Sequence, residues 1–132
     1  TIQKEKNNLD GTIPSELGML KDLQILSLEQ GSLNGSIPSS LGNLGKLRIL
    51  DLDFNSLSGS LPTAILHIST LLQLDLNNNH LTGTLPNDMD HLINLVFMQL
   101  QNNQFSGTIP SALGNLERIR KFHYYICIQA RN

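Results

Sequence analysis

The chain has 132 residues, a formal net charge of −2, a sequence isoelectric point near 6.0, 15% charged residues and no tryptophan. So small an acidic balance gives no general attraction for nucleic acid phosphates or anionic lipid, which argues against nucleic acid as a partner. Its apolar runs are only a few residues long. A membrane-spanning helix needs roughly 20, so no span is expected in this segment, and no signal-peptide pattern opens it.

Five tetrapeptides punctuate the chain at a constant interval of 24 residues: Gly11-Thr-Ile-Pro14, Gly35-Ser-Ile-Pro38, Gly59-Ser-Leu-Pro62, Gly83-Thr-Leu-Pro86 and Gly107-Thr-Ile-Pro110. A fixed period of that size predicts a solenoid, in which no coil buries its apolar face alone and stacking supplies the core. The first coil is irregular, because Lys4 stands where the others place an inward leucine. Later coils open on alternating apolar and polar residues, as in Ile49-Leu50-Asp51-Leu52-Asp53. That alternation predicts a strand with Leu50 and Leu52 inward and Asp51 and Asp53 facing solvent. Stacked at ~4.8 Å, such strands form a parallel sheet along one side of the coil.

Asn7, Asn55, Asn79 and Asn103 follow these strands as a column, which Gly31 interrupts. A buried carboxamide there can satisfy the backbone groups that the turn leaves unpaired. The glycine of each tetrapeptide is expected to relieve a tight or positive-φ backbone, and the proline to fix φ where no amide donor is needed. Thr12, Ser36, Ser60, Thr84 and Thr108 form a second column and predict a short strand along the flank. Stretches such as Ser39-Ser40-Leu41-Gly42-Asn43-Leu44 are too brief for long helices, so single 3₁₀ or α turns are expected opposite the sheet. The last unit, residues 117–132, decays into Ile119, Phe122, Tyr124 and Cys127 with no further tetrapeptide. Its aromatic tail, 122–126, could serve as a final strand and cap.

Leu47, Leu50, Leu52, Asn55, Leu57, Gly59, Leu61, Pro62, Ile65 and Ile68 mark one complete unit, and the units opening at Leu71 and Leu95 match it nearly as well. From residue 2 to about 124 the chain resembles the leucine-rich repeat in its plant-type 24-residue subclass. The resemblance implies an α/β solenoid, a right-handed superhelix with a parallel concave sheet and short 3₁₀ or helical turns on the convex side. It implies a single domain over 1–132 with about five repeats. Extracellular members usually carry cysteine-bearing caps, and their absence here suggests a fragment of a longer array. By the same resemblance the concave face recognises a protein or peptide, at the cell surface or outside the cell. A secreted inhibitor of a cell-wall-degrading enzyme and a purely structural spacer are the alternatives.

No Ser/His/Asp or Cys/His order forms a catalytic motif, and the recurrent glycines are accounted for by the repeat rather than by a phosphate loop. An enzyme is therefore not expected, and no cofactor is implied. His67 and His91 lie one period apart, near Asp88 and Asp90, but their column also holds Met19, Asn43 and Asn115. That mixture reads as a solvated convex site rather than a metal site. Cys127 falls in the column that accepts Asn or Cys, a structural position. The sequon Asn34-Gly35-Ser36 would permit N-glycosylation on an exposed turn of a secreted chain.

The outward strand positions are what the repeat leaves unexplained. One column runs Gln3, Ser27, Asp51, Asp75, Gln99, His123, and the next Glu5, Glu29, Asp53, Asn77, Gln101, Tyr125. Like charges facing each other across strands, Asp51 with Asp75 and Glu29 with Asp53, are destabilising and so suggest a purpose. The candidate partner-binding residues are Glu29, Asp51, Asp53, Asp75, Asn77, Phe97, Gln99 and Gln101. This acidic, amide-rich face suits a protein or peptide offering Lys or Arg, with carbohydrate also conceivable. A calcium site is disfavoured, because a flat array of carboxylates does not converge on six to eight oxygens.

Overall fold

The structure is a computed structural model that describes residues 1–3 and 9–123, the last three by backbone alone. Lys4, Glu5, Asn7, Tyr124, Tyr125 and Cys127, each given a place in the repeat above, lie outside the described residues, as does most of the aromatic tail. In chain order the strands are β1 (Ile2–Gln3), β2 (Asp10–Thr12), β3 (Ile25–Ser27), β4 (Ser32–Ser36), β5 (Ile49–Asp51), β6 (Ser56–Ser60), β7 (Gln73–Asp75), β8 (His80–Thr82), β9 (Phe97–Gln99) and β10 (Lys121–His123). They form two parallel sheets, β1-β3-β5-β7-β9-β10 and β2-β4-β6-β8. Short turns cover the side opposite the first sheet. Four are 3₁₀, at Ser15–Met19, Ser39–Asn43, Asn87–His91 and Ser111–Asn115, and one is the α-helix α1 (Thr63–Leu66).

The first sheet pairs residues 24 apart, Leu26 with Leu50, Leu50 with Leu74 and Leu74 with Met98, as the sequence period predicts. Each inward side chain therefore stacks on its counterpart in the next coil. Leu47, Leu50, Leu52, Leu57, Ile65, Leu71, Leu74 and Leu76 are fully buried. Removing any one to alanine costs about 2–5 kcal/mol, because aliphatic neighbours above and below cannot collapse into the space.

The second sheet pairs residues 22 apart, Gly35 with Leu57 and Gly59 with Leu81. The flank strands anticipated from the Ser/Thr column exist at Thr12, Ser36 and Ser60, whereas Thr84 makes only an isolated bridge with Ser106 and Thr108 lies outside any strand; the hydroxyls are also staggered, so that Ser36 pairs Ser58 and not Ser60. The sequence period sets the step from coil to coil in the first sheet, whereas the flank pairs two residues short of that period. Asn34 is exposed and lies on β4 itself, not on a turn.

Gly35 and Gly59 have φ of 72° and 78°, the left-handed backbone that glycine adopts at no steric cost. The following prolines hold φ near −65°, and Pro38 and Pro62 accept the first turn bonds from Leu41 N–H and Ile65 N–H, each at 3.1 Å. Gly42 has a different reason. A Cβ there would lie 2.6 Å from the Ala64 carbonyl oxygen, so glycine lets successive convex turns approach.

The asparagine column behaves as anticipated. Asn79 Oδ1 accepts Leu57 N–H at 2.9 Å, while its Nδ2 donates to Leu52 O at 2.9 Å and Leu76 O at 3.2 Å. Asn55 and Asn103 repeat the pattern, accepting from Leu33 N–H at 3.1 Å and Leu81 N–H at 2.9 Å. Each rung thus satisfies backbone groups in two adjacent coils at once, which is how a side chain couples neighbours in a solenoid.

Candidate functional site

The first sheet displays its outward residues in columns, because side chains alternate across a strand and every coil repeats the same phase. Asp51 pairs with Asp75 and Asp75 with Gln99, as the sequence columns require. The pairing continues past the strands, with Gln30 N–H bonded to Asp53 O and Asn78 N–H to Gln101 O. The carboxylates of Glu29, Asp51 and Asp53 come together, with one oxygen of each within 4.8 Å of the others. That is tighter than the flat array expected from parallel strands. Three oxygens remain short of the six to eight that calcium takes.

Alternation alone would leave Asp51 and Asp53 facing solvent, yet both are half-buried, while Asp75 and Asn77 are each only 5% exposed. Alternation decides which face a side chain occupies, but neighbours ~4.8 Å away on either side cover it. Gln73 contributes to this cover by donating from Nε2 to Asp75 Oδ2 at 2.8 Å. Burial, followed by the charges of Asp53, Asp75 and Glu29, pushes the Asp51 carboxyl up to about 7, although the Asp53 N–H bonded to it at 3.2 Å pulls the other way. Asp53 is raised by burial first and then by Glu29 and Asp75, against a hydrogen bond from Asn77. No ion pair neutralises Glu29, Asp51 or Asp53 among the described residues.

The remaining predicted residues extend the same face. Gln101 Nε2 donates to Gln99 Oε1 at 3.3 Å, and Asn77 Oδ1 and Gln101 Oε1 are buried acceptors with no hydrogen-bond partner among the described residues. Phe97 stands on β9 opposite Gln73 and is 41% exposed. The structure thus gathers Glu29, Asp51 and Asp53 into one cluster, sets Asp75 and Asn77 beside it, and places Gln99, Gln101 and Phe97 one coil further on.

Two residues were missed. Gln73 lies in the column of Ile25, Ile49 and Phe97 and anchors the buried Asp75. Phe54 is 52% exposed, directly after Asp53, with φ of 49°. Its signal was available, since the corresponding positions in the other coils are Gln30, Asn78 and Asn102.

On the convex side the His67 and His91 rings lie 4.6 Å apart, edge to face, and His91 Nδ1 bonds Asp88 O at 2.9 Å. The stacking matches the sequence period. Among the described residues the only group of three or more potential metal ligands is Glu29, Asp51 and Asp53, not this pair. Arg118, part of a short basic stretch, donates to Asn94 Oδ1 at 2.8 Å, as a solvated edge residue would.

The leucine-rich repeat family model matches residues 45–105. Among curated proteins, none matches the chain. Several solved structures do. The Arabidopsis receptor kinase HAESA ectodomain, bound to an IDA peptide hormone, has a TM-score of 0.90 at 30% identity, with 92% of this chain and 20% of that one covered. The plant peptide hormone receptor RGFR1 in complex with RGF2 has a TM-score of 0.85 at 34% identity, covering 86% of this chain and 18% of that one. The ectodomain of the receptor kinase SOBIR1 from Arabidopsis thaliana has a TM-score of 0.86 at 35% identity, covering 92% and 66%. The chain therefore spans about a fifth of the two hormone receptors. All three are receptors, two of them described as ectodomains, and they give no support to the inhibitor alternative. No helix among the described residues is long and apolar enough to cross a membrane.

Proposed function

Because the chain is a leucine-rich repeat protein of the plant type, we propose that its concave sheet recognises an extended peptide or protein, as part of a receptor-like ectodomain outside the cell. The acidic centre takes a Lys or Arg side chain of that ligand. The observation that carries this reading is the convergence of Glu29, Asp51 and Asp53 within 4.8 Å without an ion pair among the described residues. Like charges held this way oppose folding, and an incoming cation would relieve them. Asn77 Oδ1 and Gln101 Oε1 would accept hydrogen bonds from the ligand, and Phe97 would give it an apolar contact. Solved structures of this type include complexes with peptide hormones. The role is binding, not catalysis.

Charge reversal at Asp51 and Asp75 is the obvious test, but Asp75 is buried and a lysine there would disturb packing. Neutralising Glu29→Gln together with Asp53→Asn preserves shape. A randomised decapeptide library should be selected against the wild type and this double variant. Wild type should enrich peptides with a basic residue at one recurrent position, and their affinity should fall about tenfold or more in the variant and weaken with salt. Enrichment without basic residues, or equal affinity for the variant, would overturn the reading.

A further inference from the structure

We propose that Asn34 is a site of N-linked glycosylation and that its glycan lies over the serine-rich flank, leaving the concave sheet free for a ligand. This rests on the extracellular placement proposed above, since only a chain that enters the secretory route meets the sugar donor. Each tetrapeptide begins with a Gly-Ser or Gly-Thr pair, and the residues just before those pairs are Asp10, Asn34, Ser58, Thr82 and Ser106. The hydroxyl is therefore supplied by the repeat, and the asparagine is not. Asn34-Gly35-Ser36 is the only place in the 132 residues with the Asn-x-Ser/Thr pattern that accepts an N-glycan.

The fold leaves this asparagine open. Alternation along β4 buries Leu33 and exposes Ser32, Asn34 and Ser36. Asn34 pairs with Thr12 on one side and Ser56 on the other, and both are small and exposed. Its carboxamide makes no hydrogen bond among the described residues, unlike those of Asn55, Asn79 and Asn103, which join neighbouring coils. A sugar on Asn34 thus displaces nothing that the fold uses. Attachment joins Asn34 Nδ2 to C1 of an oligosaccharide carried on a lipid pyrophosphate. The C1–O bond breaks, the lipid pyrophosphate leaves with the electron pair, and the amide gives up one proton.

The surface beside Asn34 suits the sugar that would follow. Ser36, the sequon hydroxyl, also lines an open groove with Ser15, Ile37, Pro38, Ser60 and Pro62. Two residues of strand separate Asn34 from Ser36, about 6.6 Å, within reach of an attached sugar chain. Serine hydroxyls both donate and accept, as sugar hydroxyls require, and the proline rings offer apolar surface to sugar C–H faces. No charged side chain lines the groove, so a neutral glycan fits it better than an ionic ligand. β4 belongs to the second sheet, whereas Asp51 and Asp75 stand on the first, so the glycan and the candidate site occupy different faces.

The test expresses the full chain behind a secretory leader in mammalian cells, together with Asn34→Gln, Ser36→Ala and Ser36→Thr. Peptide N-glycosidase followed by mass spectrometry should find aspartate in place of Asn34 in the wild type and in Ser36→Thr, and unaltered asparagine in Ser36→Ala. Transfer precedes folding, so occupancy is read on retained as well as secreted chains. Unaltered asparagine in the wild type would overturn the proposal. Hydroxyl-radical labelling of the glycosylated protein, compared with Asn34→Gln, should fall at Pro38 and Pro62 and stay the same at Phe97. Protection of Phe97, or none at the prolines, would overturn the seating on the flank. A protein without the glycan that still selects basic decapeptides leaves the proposed function standing, whereas a glycosylated protein that selects none sinks that function and leaves the glycan.

Discussion

Asp51→Asn should stabilise the protein, and by an amount that depends on pH in a way the structure dictates. The Asp51 carboxyl is pushed from its usual 3.8 up to about 7 in the folded chain. Between those values the native state holds a proton that the unfolded state has released. The stabilising contribution is therefore complete below about pH 4 and gone above about pH 7. Holding the carboxyl that far above its usual value corresponds to about 4 kcal/mol if nothing screens the charge. Asp51 is half-buried and open to solvent on the concave side, so screening leaves about 1–2 kcal/mol. An asparagine carbonyl can keep the bond that Asp51 Oδ1 accepts from Asp53 N–H. Urea titrations of both proteins from pH 4 to pH 8, followed by circular dichroism, read the effect, because titrating groups far from Asp51 cancel in the difference and leave Asp51 with its coupling to Glu29, Asp53 and Asp75. The variant should match the wild type near pH 4 and exceed it by about 1–2 kcal/mol at pH 8. A difference that stays constant with pH, or a variant less stable at pH 8, would show that Asp51 carries no uncompensated charge.

Three further changes test the scaffold. Asn79→Ala leaves Leu57 N–H and Leu52 O without their buried partner and should cost about 3 kcal/mol, more than Asn103→Ala at a part-buried rung, as read by chemical denaturation. Gly31 is absent from the left-handed glycines, so Gly31→Asn should fit the column, with Leu9 N–H, Leu28 O and Glu29 O at the places that Asn55 uses one coil later. A gain of about 1 kcal/mol, or about 4 °C in melting temperature, is expected, and an unchanged or lower value would mean that the backbone there needs glycine more than the column needs its rung. Gly42→Ala should cost about 1–3 kcal/mol because its Cβ meets the Ala64 carbonyl at 2.6 Å, whereas Gly45→Ala, with open space around it, should stay within about 0.5 kcal/mol of wild type.

The concave side was largely legible because one period governs it. The pairing of Asp51 with Asp75 and of Leu50 with Leu74 follows from counting 24, and so does the His67–His91 stack. Counting failed where geometry within a coil matters. The two-residue offset in the pairing of the second sheet leaves no mark on the spacing of Thr12, Ser36 and Ser60. The burial of Asp75 depends on where the Gln73 amide lies, a side-chain event that alternation does not encode. The convergence of Glu29 with Asp51 and Asp53 joins two outward columns that a reading by columns keeps apart. Phe54 is marked in the sequence only as the one aromatic in the column of Gln30, Asn78 and Asn102, and its left-handed φ is what the sequence does not show.

Most of the crowded charge on this surface falls in one coil, with Glu29 reaching it from the coil before. Asp51, Asp53 and Phe54 all belong to the coil whose inward residues, Leu47, Leu50, Leu52, Leu57, Ile65 and Leu66, are each fully buried. Its Asn55 rung is complete, with bonds to Leu33 N–H, Leu28 O and Leu52 O. In a solenoid, stability is a sum of coil and nearest-neighbour terms, so a coil clamped on both sides can carry local strain without unravelling. Strained backbone and crowded charge persist only where the surroundings over-determine them. The carboxylate cluster and the left-handed aromatic therefore sit where the scaffold is strong enough to hold them, and each opposes folding on its own. Substitutions that relieve the carboxylate cluster should raise stability while weakening recognition. That opposite response is what separates a binding surface from a face that is merely solvated.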